Sequence, residues 1–356
     1  MTTSNPYSNL KIVWHPEKLD ALRRGIVTAP INVLVQPTNR CDHRCFYCSY
    51  MDHALGLRTA VNARDEISWE IFKKVLADIA VMKVKSVILS GGGEPLLYPK
   101  IKETLVFLKK NKIDFALMTN GQRLKGEIAE LLRTASWVRI SLDACRPGRF
   151  SEIRSIPGKN FLEIRKNIKQ FAKEKSKSCE LGINFVVHHL NADQVYAMAR
   201  FAKALGVNHV KYTARITKNL FVYHEPFKNS VVEQIHKAQA KLQDKHFKII
   251  NKYEEDFHLN MVFERSYRHC PIMQINTVIS ADSKVYMCHD KAYVPDGQLG
   301  DLKKQSLRKI WFSRKTRNLF KNFDVHKHCQ HHCVYDERNI LINEAIKSFS
   351  QHINFI

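Results

Sequence analysis

The stretch Arg40-Cys41-Asp42-His43-Arg44-Cys45-Phe46-Tyr47-Cys48 follows an apolar run, Ile31-Asn32-Val33-Leu34-Val35. It places three thiols in the spacing CxxxCxxC on a short loop after a predicted β-strand, so the three sulfurs can converge. Three cysteines can ligate three irons of a 4Fe–4S cluster and leave the fourth iron open to a substrate or cofactor. The alternatives are three unrelated core thiols or a zinc knuckle, which usually pairs CxxC elements with further Cys or His. The spacing favours Cys41, Cys45 and Cys48 as cluster ligands.

Composition limits the class of protein. The 356 residues are 44% hydrophobic, which is enough for the cores of one large and one smaller domain. No apolar run is long enough to cross a bilayer, and residues 1–10 lack the apolar centre of a secretory signal. Nine cysteines without an export signal indicate reduced, metal-binding thiols rather than disulfides. The sequence therefore predicts a cytoplasmic protein with no membrane partner.

The chain is strongly basic, with 57 Lys and Arg against 34 Asp and Glu and a net charge of +23. Such a charge favours anionic partners, among them phosphorylated small molecules, nucleotide sugars, RNA and an acidic electron-donor protein such as flavodoxin or ferredoxin. The basic residues are densest at 302–320, where apolar residues at helical spacing predict one amphipathic helix with a basic outer face. No nucleic-acid-binding module is recognisable, so the charge alone does not favour a nucleic-acid partner.

Apolar β-branched segments alternate with amphipathic segments over the first 212 residues. The predicted strands are 31–35, 86–89, 115–118, 138–142, 182–187 and 209–212, and the predicted helices between them are 69–81, 101–109, 127–134, 161–171 and 194–205. This alternation implies parallel strands joined by helical crossovers. Six such units predict an α/β fold with a partial (β/α)6 TIM-like barrel, whose chemistry lies at the carboxyl ends of the strands.

The pattern changes after residue 212. Residues 228–245 read as a long helix, and the tail from Cys270 onward holds four of the nine cysteines. We divide the chain into an N-terminal extension (1–29), the barrel (30–215), a helical linker (216–259) and a small cysteine-containing auxiliary domain (260–356).

Polar motifs follow the predicted strands. Gly91-Gly92-Gly93-Glu94-Pro95 follows the second strand, Thr119-Asn120-Gly121 the third, and Ser141 and Asp143 lie at the end of the fourth. Together with CxxxCxxC, and in this order, these motifs resemble those of the radical S-adenosylmethionine (SAM) superfamily over residues 31 to about 212. In that family the open iron of a 4Fe–4S cluster chelates SAM.

The resemblance implies a role for each matching residue. The SAM amino group would meet the GGE motif, the ribose and adjacent polar atoms would lie near Ser141 and Asp143, and the Arg154 guanidinium would pair with the SAM carboxylate. Tyr47 would pack beside adenine, or simply cover the cluster. The implied cofactor-binding residues are Tyr47, Gly92, Gly93, Glu94, Asn120, Ser141, Asp143 and Arg154. The implied reaction is reductive cleavage of SAM to methionine and a 5′-deoxyadenosyl radical that abstracts hydrogen.

Four further thiols lie in the tail. Their arrangement is one thiol, a short β-rich insertion (275–279 and 284–287), a second thiol and a final CxxxC. It resembles the twitch domain, the shortened relative of the SPASM domain, and implies one auxiliary 4Fe–4S cluster in addition to the SAM-binding one. Its ligands would be Cys270, Cys288, Cys329 and Cys333. The alternative is a zinc ribbon that uses nearby histidines, namely His328, His331 and His332.

Two residues are candidates for the later steps of the reaction. Cys145 follows Asp143 at the active-site end and can donate a hydrogen atom to a substrate radical, which gives epimerisation. His289 follows Cys288 and can act as a base, which suits oxidation. The alternatives are an ordinary loop cysteine and a surface turn.

The sequence thus predicts a radical SAM oxidoreductase (a dehydrogenase) or epimerase. Its substrate would be a polar, anionic small molecule, such as a sugar, aminocyclitol or nucleotide-linked sugar, with the auxiliary cluster accepting an electron. The alternatives are a peptide (RiPP) maturase and an RNA-modifying enzyme. We expect the roughly 30 residues before the first strand to be too few for a leader-binding domain. A non-catalytic iron–sulfur sensor is disfavoured, because a sensor does not need the SAM-binding motifs.

Overall fold

The structure is a computed structural model that describes residues 7–52, 55, 58–259, 265–329, 331 and 333–347. Within these residues ten strands form one sheet. They are β1 (Asn32–Val35), β2 (Ser86–Leu89), β3 (Asp114–Thr119), β4 (Trp137–Ser141), β5 (Glu180–Val187), β6 (His209–Ala214), β7 (Lys248–Asn251), β8 (Asn276–Ile279), β9 (Lys284–Tyr286) and β10 (Gln298–Asp301). Their order in the sheet is β10-β9-β8-β1-β2-β3-β4-β5-β6-β7.

Helices connect the barrel strands and follow the last strand. They are α1 (Pro16–Arg23), α2 (Trp69–Val81), α3 (Ile101–Lys110), α4 (Gly126–Leu132), α5 (Pro147–Arg154), α6 (Lys159–Glu174), α7 (Val195–Ala204), α8 (Leu220–His224), α9 (Lys228–Leu242), α10 (Tyr253–Leu259), α11 (Leu307–Trp311), α12 (Arg314–Asn322), α13 (Val325–His328) and α14 (Asp336–Ile346). Among the described helices, none combines the length and apolarity needed to cross a membrane.

The predicted partial barrel is confirmed. Strands β1 to β6 pair in parallel and in sequence order, and each pair is joined by a helical crossover. The side chains that face the helices are fully buried aliphatic and aromatic residues such as Val87, Leu117 and Phe185. Because side chains alternate along a strand, the opposite row faces the barrel interior. That inner row is polar towards the carboxyl ends, where it contains Ser90 and Ser141.

The segment 216–259, predicted as a helical linker, also contains a strand. Strand β7 pairs in parallel with β6 and extends the barrel by one unit. Its four residues form too short an apolar run to be separated from the neighbouring helices by periodicity. Helix α9 begins at the predicted residue but ends at Leu242, because Gln243 adopts an extended conformation (ψ 139°).

The C-terminal segment continues the same sheet. Strand β8 pairs in parallel with β1, and β9 and β10 follow as antiparallel strands. The predicted β-rich insertion is therefore present, and it lies directly beside the first barrel strand. Because β1 and β8 are parallel, the residues after both strands emerge at the same edge of the sheet.

The single amphipathic helix predicted at 302–320 is wrong. The structure has two short helices there, α11 and α12, separated at Phe312 and Ser313. The Ser313 hydroxyl accepts a hydrogen bond from the backbone N–H of Thr316 and so caps the start of α12. Serine at this position favours a helix start rather than a helix interior. The apolar side of α11 still faces the core, as predicted.

Trp311 anchors these helices to the start of the barrel. Its side chain is fully buried, and its indole N–H donates to the backbone carbonyl of Thr28, 2.9 Å away. We predict that Trp311→Ala lowers the free energy of unfolding by about 3–5 kcal/mol, as expected for removal of a buried aromatic side chain. Urea unfolding of the anaerobically purified protein measures it. Trp14 is 82% exposed and is the matched control, for which Trp14→Ala should change stability by less than about 0.5 kcal/mol.

Candidate functional site

The loop with the first three cysteines is held by the end of α5. The backbone N–H of Arg44 donates to the carbonyl of Arg154 (3.0 Å), and that of Phe46 donates to the carbonyl of Ile153 (3.3 Å). The N–H of Cys48 donates to the carbonyl of Cys45 and closes a tight turn. The turn lies after β1, at the carboxyl edge of the sheet, and the role of its three thiols as cluster ligands stays a prediction.

A buried ion pair lies beneath this loop. The side chains of Arg154 and Asp143 are 3% and 0% exposed and form a salt bridge. The same carboxylate accepts a hydrogen bond from the Tyr47 hydroxyl, and its second oxygen accepts one from the N–H of Val186 at 2.9 Å. Burial raises the pKa of Tyr47, which keeps it a phenol and a donor. Arg154 also donates to the carbonyl of Ser141 at 2.9 Å. The implied SAM contacts of these residues stay predictions, and the structure gives each residue a partner within the protein.

The glycines after β2 permit close contact between two loops. A Cβ atom on Gly92 would stand 2.0 Å from Asn39 Oδ1, and one on Gly93 would stand 2.1 Å from the carbonyl oxygen of Arg40. The backbone N–H groups of Gly93 and Glu94 donate to the carbonyls of Thr38 and Arg40. The glycines therefore allow the GGE loop to pack directly against the residues just before Cys41. This packing role is separate from any contact with a ligand.

Glu94 joins the ends of β2 and β3. Its carboxylate accepts hydrogen bonds from the Thr119 hydroxyl (2.7 Å) and from the backbone N–H groups of Asn120 (2.7 Å) and Leu96 (3.0 Å). Burial raises its pKa to about 7. The Asn120 side chain in turn donates to Asp42 Oδ1 at 2.7 Å, inside the cysteine loop. The GGE motif, Asn120 and the cysteine loop thus form one connected unit.

The four C-terminal thiols lie around the last strands and helices of the chain. Cys270 precedes β8, Cys288 follows β9, and Cys329 and Cys333 lie between α13 and α14. Burial raises the pKa of all four. The Cys270 thiol faces Asn339 Oδ1 at 3.4 Å. Four thiols have the composition that full ligation of a 4Fe–4S cluster requires, and their role as its ligands stays a prediction.

A polar network connects the two thiol groups. The Tyr50 hydroxyl, two residues after Cys48, lies 3.0 Å from Nε2 of His289, which follows Cys288. The Gln36 amide at the end of β1 donates to the same hydroxyl at 2.5 Å. Arg58 Nη2 lies 3.0 Å from Nδ1 of His289. His289 is therefore part of a network rather than of a surface turn, and burial followed by the charge of Arg58 lowers its pKa.

Cys145 lies beyond the end of β4, as predicted. Its thiol faces Gln194 Oε1 at 3.3 Å, and burial raises its pKa, which keeps the sulfur protonated. Cys179 precedes β5 at the opposite end of the barrel and is 1% exposed. Cys145 therefore lies at the carboxyl ends of the strands, whereas Cys179 lies at the opposite end of the barrel.

Three residues of the network were not predicted, namely Gln36, Tyr50 and Arg58. Arg58 is one of 57 Lys and Arg residues and lies in a segment without periodicity, so nothing in the sequence distinguishes it. Gln36 was detectable in principle, because it is a polar residue that directly follows the first barrel strand.

Two family models match the chain. The model described as "Radical SAM superfamily" matches residues 35–202, and the SPASM model, described as "Iron-sulfur cluster-binding domain", matches residues 270–334. The first includes the cysteine loop and the GGE motif, and the second spans the four C-terminal thiols.

Several known proteins are similar. A PqqA peptide cyclase of Gluconobacter oxydans is 24% identical and aligns over 83% of this chain and 80% of its own length. A GTP 3′,8-cyclase of Aquifex aeolicus is 25% identical and aligns over 84% of this chain and 93% of its own length. A probable GTP 3′,8-cyclase of Thermococcus kodakarensis is 30% identical over 49% of this chain, and the match spans only about half (54%) of that relative. The structure of Streptococcus suis SuiB bound to the precursor peptide SuiA shares the fold, with a TM-score of 0.63 and 16% sequence identity. The match covers 90% of this chain and 73% of the SuiB chain.

The loop contact of Gly93 generates a prediction. Gly93→Ala should separate the GGE loop from the cysteine loop, because the new Cβ would meet a backbone oxygen that cannot rotate away. We expect a cost of about 1–3 kcal/mol and a lower iron content of the anaerobically purified protein. Gly148→Ala is the control, because a Cβ there meets nothing within 4 Å. Normal iron content and thermal midpoint in Gly93→Ala would contradict the role assigned to this contact.

Proposed function

Because the chain belongs to the radical SAM superfamily and carries a SPASM-type C-terminal iron–sulfur domain, we propose that it removes hydrogen from a peptide substrate held between its two thiol groups. The two domains imply SAM and 4Fe–4S clusters, one of them auxiliary, as the cofactors. The observation that carries the proposal is the Gln36–Tyr50–His289 network, which joins the regions next to Cys48 and Cys288. A substrate at this edge of the sheet would have one thiol group on each side.

The thiols present have the donor chemistry that these cofactors require. We assign Cys41, Cys45 and Cys48 to the SAM-binding cluster, and the four C-terminal thiols to the auxiliary one. When bound, these groups and SAM supply reductive cleavage of SAM, a carbon radical that abstracts hydrogen, and an acceptor for the electron that the substrate gives up. The protein itself contributes position: Asp143, Arg154 and Tyr47 hold the cysteine loop, while Glu94 and Asn120 hold the neighbouring loop.

There are two candidates for the substrate class, a peptide and an anionic small molecule. The peptide cyclase of G. oxydans aligns over most of both chains, which supports a peptide. The A. aeolicus relative is named a GTP cyclase and aligns to a similar extent, which supports an anionic small molecule of the nucleotide class. We favour the peptide, because a triphosphate brings several negative charges, and some basic groups at this edge already have an acidic partner. Arg215, for example, lies 3.6 Å from the carboxylate of Asp52. The relatives named above do not support a sugar or aminocyclitol substrate.

The fate of the substrate depends on two residues. The substrate radical can lose a second hydrogen as a proton and an electron and so form a new bond. A base such as His289 would take the proton, and the auxiliary cluster would take the electron. Return of a hydrogen atom from the Cys145 thiol would give an epimer of unchanged mass. We favour oxidation, because an auxiliary cluster with four thiol ligands could accept the electron that the substrate gives up. The reaction requires a one-electron reductant, and a flavodoxin or ferredoxin is the proposed donor. The cytoplasmic location and the domain boundaries stay predictions.

The metal content tests the cofactor assignment. We predict about eight irons per chain after anaerobic reconstitution, as two 4Fe–4S clusters require. The triple variant Cys41→Ala, Cys45→Ala, Cys48→Ala should keep about half of them and form no 5′-deoxyadenosine from SAM. Iron analysis and chromatography of the nucleoside products measure both. Stoichiometric zinc in protein isolated without oxygen would refute the auxiliary cluster.

Product masses test the reaction. In heavy water, a mixture of synthetic peptides containing all twenty amino acids should raise 5′-deoxyadenosine formation above the substrate-free rate and yield a peptide two hydrogens lighter. Cys145→Ala should then leave turnover largely intact, as should the control Cys179→Ala. A peptide of unchanged hydrogen count that carries solvent deuterium, and is lost in Cys145→Ala, would instead establish epimerisation. Stimulation by GTP and not by peptides would favour the second candidate.

A further inference from the structure

We propose that the exposed side of α12 is the docking surface for an acidic one-electron carrier protein, which exchanges an electron with the auxiliary cluster. The surface consists of the four basic residues of the helix, Arg314, Lys315, Arg317 and Lys321. The inference rests on the proposed function, in which the C-terminal thiols hold that cluster, and it deepens the function by naming where the redox partner binds.

The segment that contains α11 and α12 carries charge of one sign. Between Leu302 and Phe323 the chain has eight Lys and Arg residues and no Asp or Glu, although the whole chain has 34 acidic residues to 57 basic ones. A surface that only keeps a protein soluble normally mixes both signs. A concentrated single-sign surface attracts proteins of the opposite charge and speeds their association.

The cations of α12 lie on its outer side. Thr316 and Phe320 are buried, whereas all four basic residues of the helix are exposed. Arg314, Arg317 and Lys321 have the spacing i, i+3, i+7, which places them in one stripe along the helix. The helix therefore presents a row of positive charge to solvent.

These charges are not neutralised within the described part of the chain. None of the four forms a salt bridge with a described acidic residue, and the nearest one in sequence, Asp324, pairs instead with Arg268 at 3.0 Å. Next to α11, the Asp78 carboxylate accepts a hydrogen bond from the backbone N–H of Arg308 at 3.0 Å rather than from a side chain of α12. A partner protein would therefore meet the full charge of the helix.

The end of α12 is tied to the segments that carry two of the C-terminal thiols. Asp324 follows the helix, and its carboxylate binds Arg268, two residues before Cys270. The backbone N–H of Val325 donates to the carbonyl of Arg268 at 3.1 Å, and the N–H of Cys329 donates to the carbonyl of Val325 at 2.8 Å. A carrier on α12 would therefore lie on the side of the protein that holds Cys270 and Cys329.

The exchange moves one electron and forms no bond. The auxiliary cluster, reduced when the substrate radical gives up an electron, would be oxidised again as the carrier is reduced. A ferredoxin is a one-electron carrier of this kind, and its reduced form can supply the next electron for SAM cleavage. One carrier would thus serve both redox steps of the proposed reaction.

A nucleic acid is the other class of partner that a basic helix could bind. Proteins that bind single strands combine cations with exposed aromatic rings on which the bases stack. None of the four aromatic residues of this segment is exposed, since Trp311, Phe320 and Phe323 are buried and Phe312 is half-buried. The observations therefore favour a protein partner.

Calorimetric titration of the reconstituted holoenzyme with an acidic 2Fe–2S ferredoxin tests the proposal. We expect binding that weakens as salt is added, because the contact is between exposed charges. An α12 variant should bind the ferredoxin about tenfold or more weakly, since it lacks four charges of the contact. This variant combines Arg314→Gln, Lys315→Gln, Arg317→Gln and Lys321→Gln.

The matched control removes four exposed cations from α6, the crossover helix between β4 and β5. This α6 variant combines Arg165→Gln, Lys166→Gln, Lys169→Gln and Lys173→Gln. It has the same net charge as the α12 variant and should bind the ferredoxin as the wild type does. Iron content and thermal midpoint verify that both variants are folded and carry their clusters.

Formation of 5′-deoxyadenosine separates this inference from the proposed function. Dithionite is a small reductant that needs no docking surface, so with dithionite the α12 variant should cleave SAM at the wild-type rate. With reduced ferredoxin as the sole reductant, its rate should fall in proportion to the lost affinity. Failure of the wild type to cleave SAM with dithionite would refute the proposed function, whereas the titration decides the docking surface.

Several outcomes would overturn the docking surface. These are no binding of ferredoxin to the wild type, wild-type affinity in the α12 variant, or an equal loss of affinity in the α6 variant, since net charge alone would then explain the binding. A single-stranded RNA that binds more tightly than the ferredoxin, and is lost in the α12 variant, would assign the surface to a nucleic acid instead.

Discussion

A buried ion pair between Asp143 and Arg154 holds the cysteine loop against the end of the parallel sheet. The carboxylate also accepts from Tyr47 inside the loop and from the backbone of Val186 on β5, so one side chain joins three elements. Removal of one partner from a buried pair leaves an uncompensated charge and costs about 3–5 kcal/mol, although the intact pair adds little net stability. The ion pair therefore acts mainly by holding the cysteine loop in position, rather than by adding to the stability of the fold. Three thiols on one loop need a fixed loop conformation to serve one cluster, and this pair links that loop to α5 and β5.

The second constraint is the parallel pairing of β8 with β1. This pairing brings a C-terminal strand beside the first barrel strand, so that Gln36 after β1 and Ser280 after β8 meet through a hydrogen bond of 3.0 Å. Cys288 and His289 follow after one more strand, and Tyr293 then returns to donate to Asn39 just before the cysteine loop. The two thiol groups are thus neighbours because of strand order, rather than through a flexible junction between two independent domains.

The sequence predicted features that depend on local chemistry. The strands of the barrel follow from β-branched alternation and lie where expected, whereas the grouping of the thiols, inferred from spacing, stays a prediction. Strand β7 was missed because its four residues pair only through tertiary contacts, and the break between α11 and α12 depends on the capping geometry of Ser313. The contact of Arg58 with His289 joins residues 231 positions apart, and no local pattern encodes it.

Charges near the two thiol groups are partly paired within the protein. The buried Arg58 guanidinium lies 3.8 Å from the Asp290 carboxylate, and Arg215 at the end of β6 lies 3.6 Å from that of Asp52. Each pair offsets charge that an anionic ligand would otherwise meet. The net charge of +23 for the whole chain therefore gives little information about the substrate, and its exposed part suits an acidic electron donor.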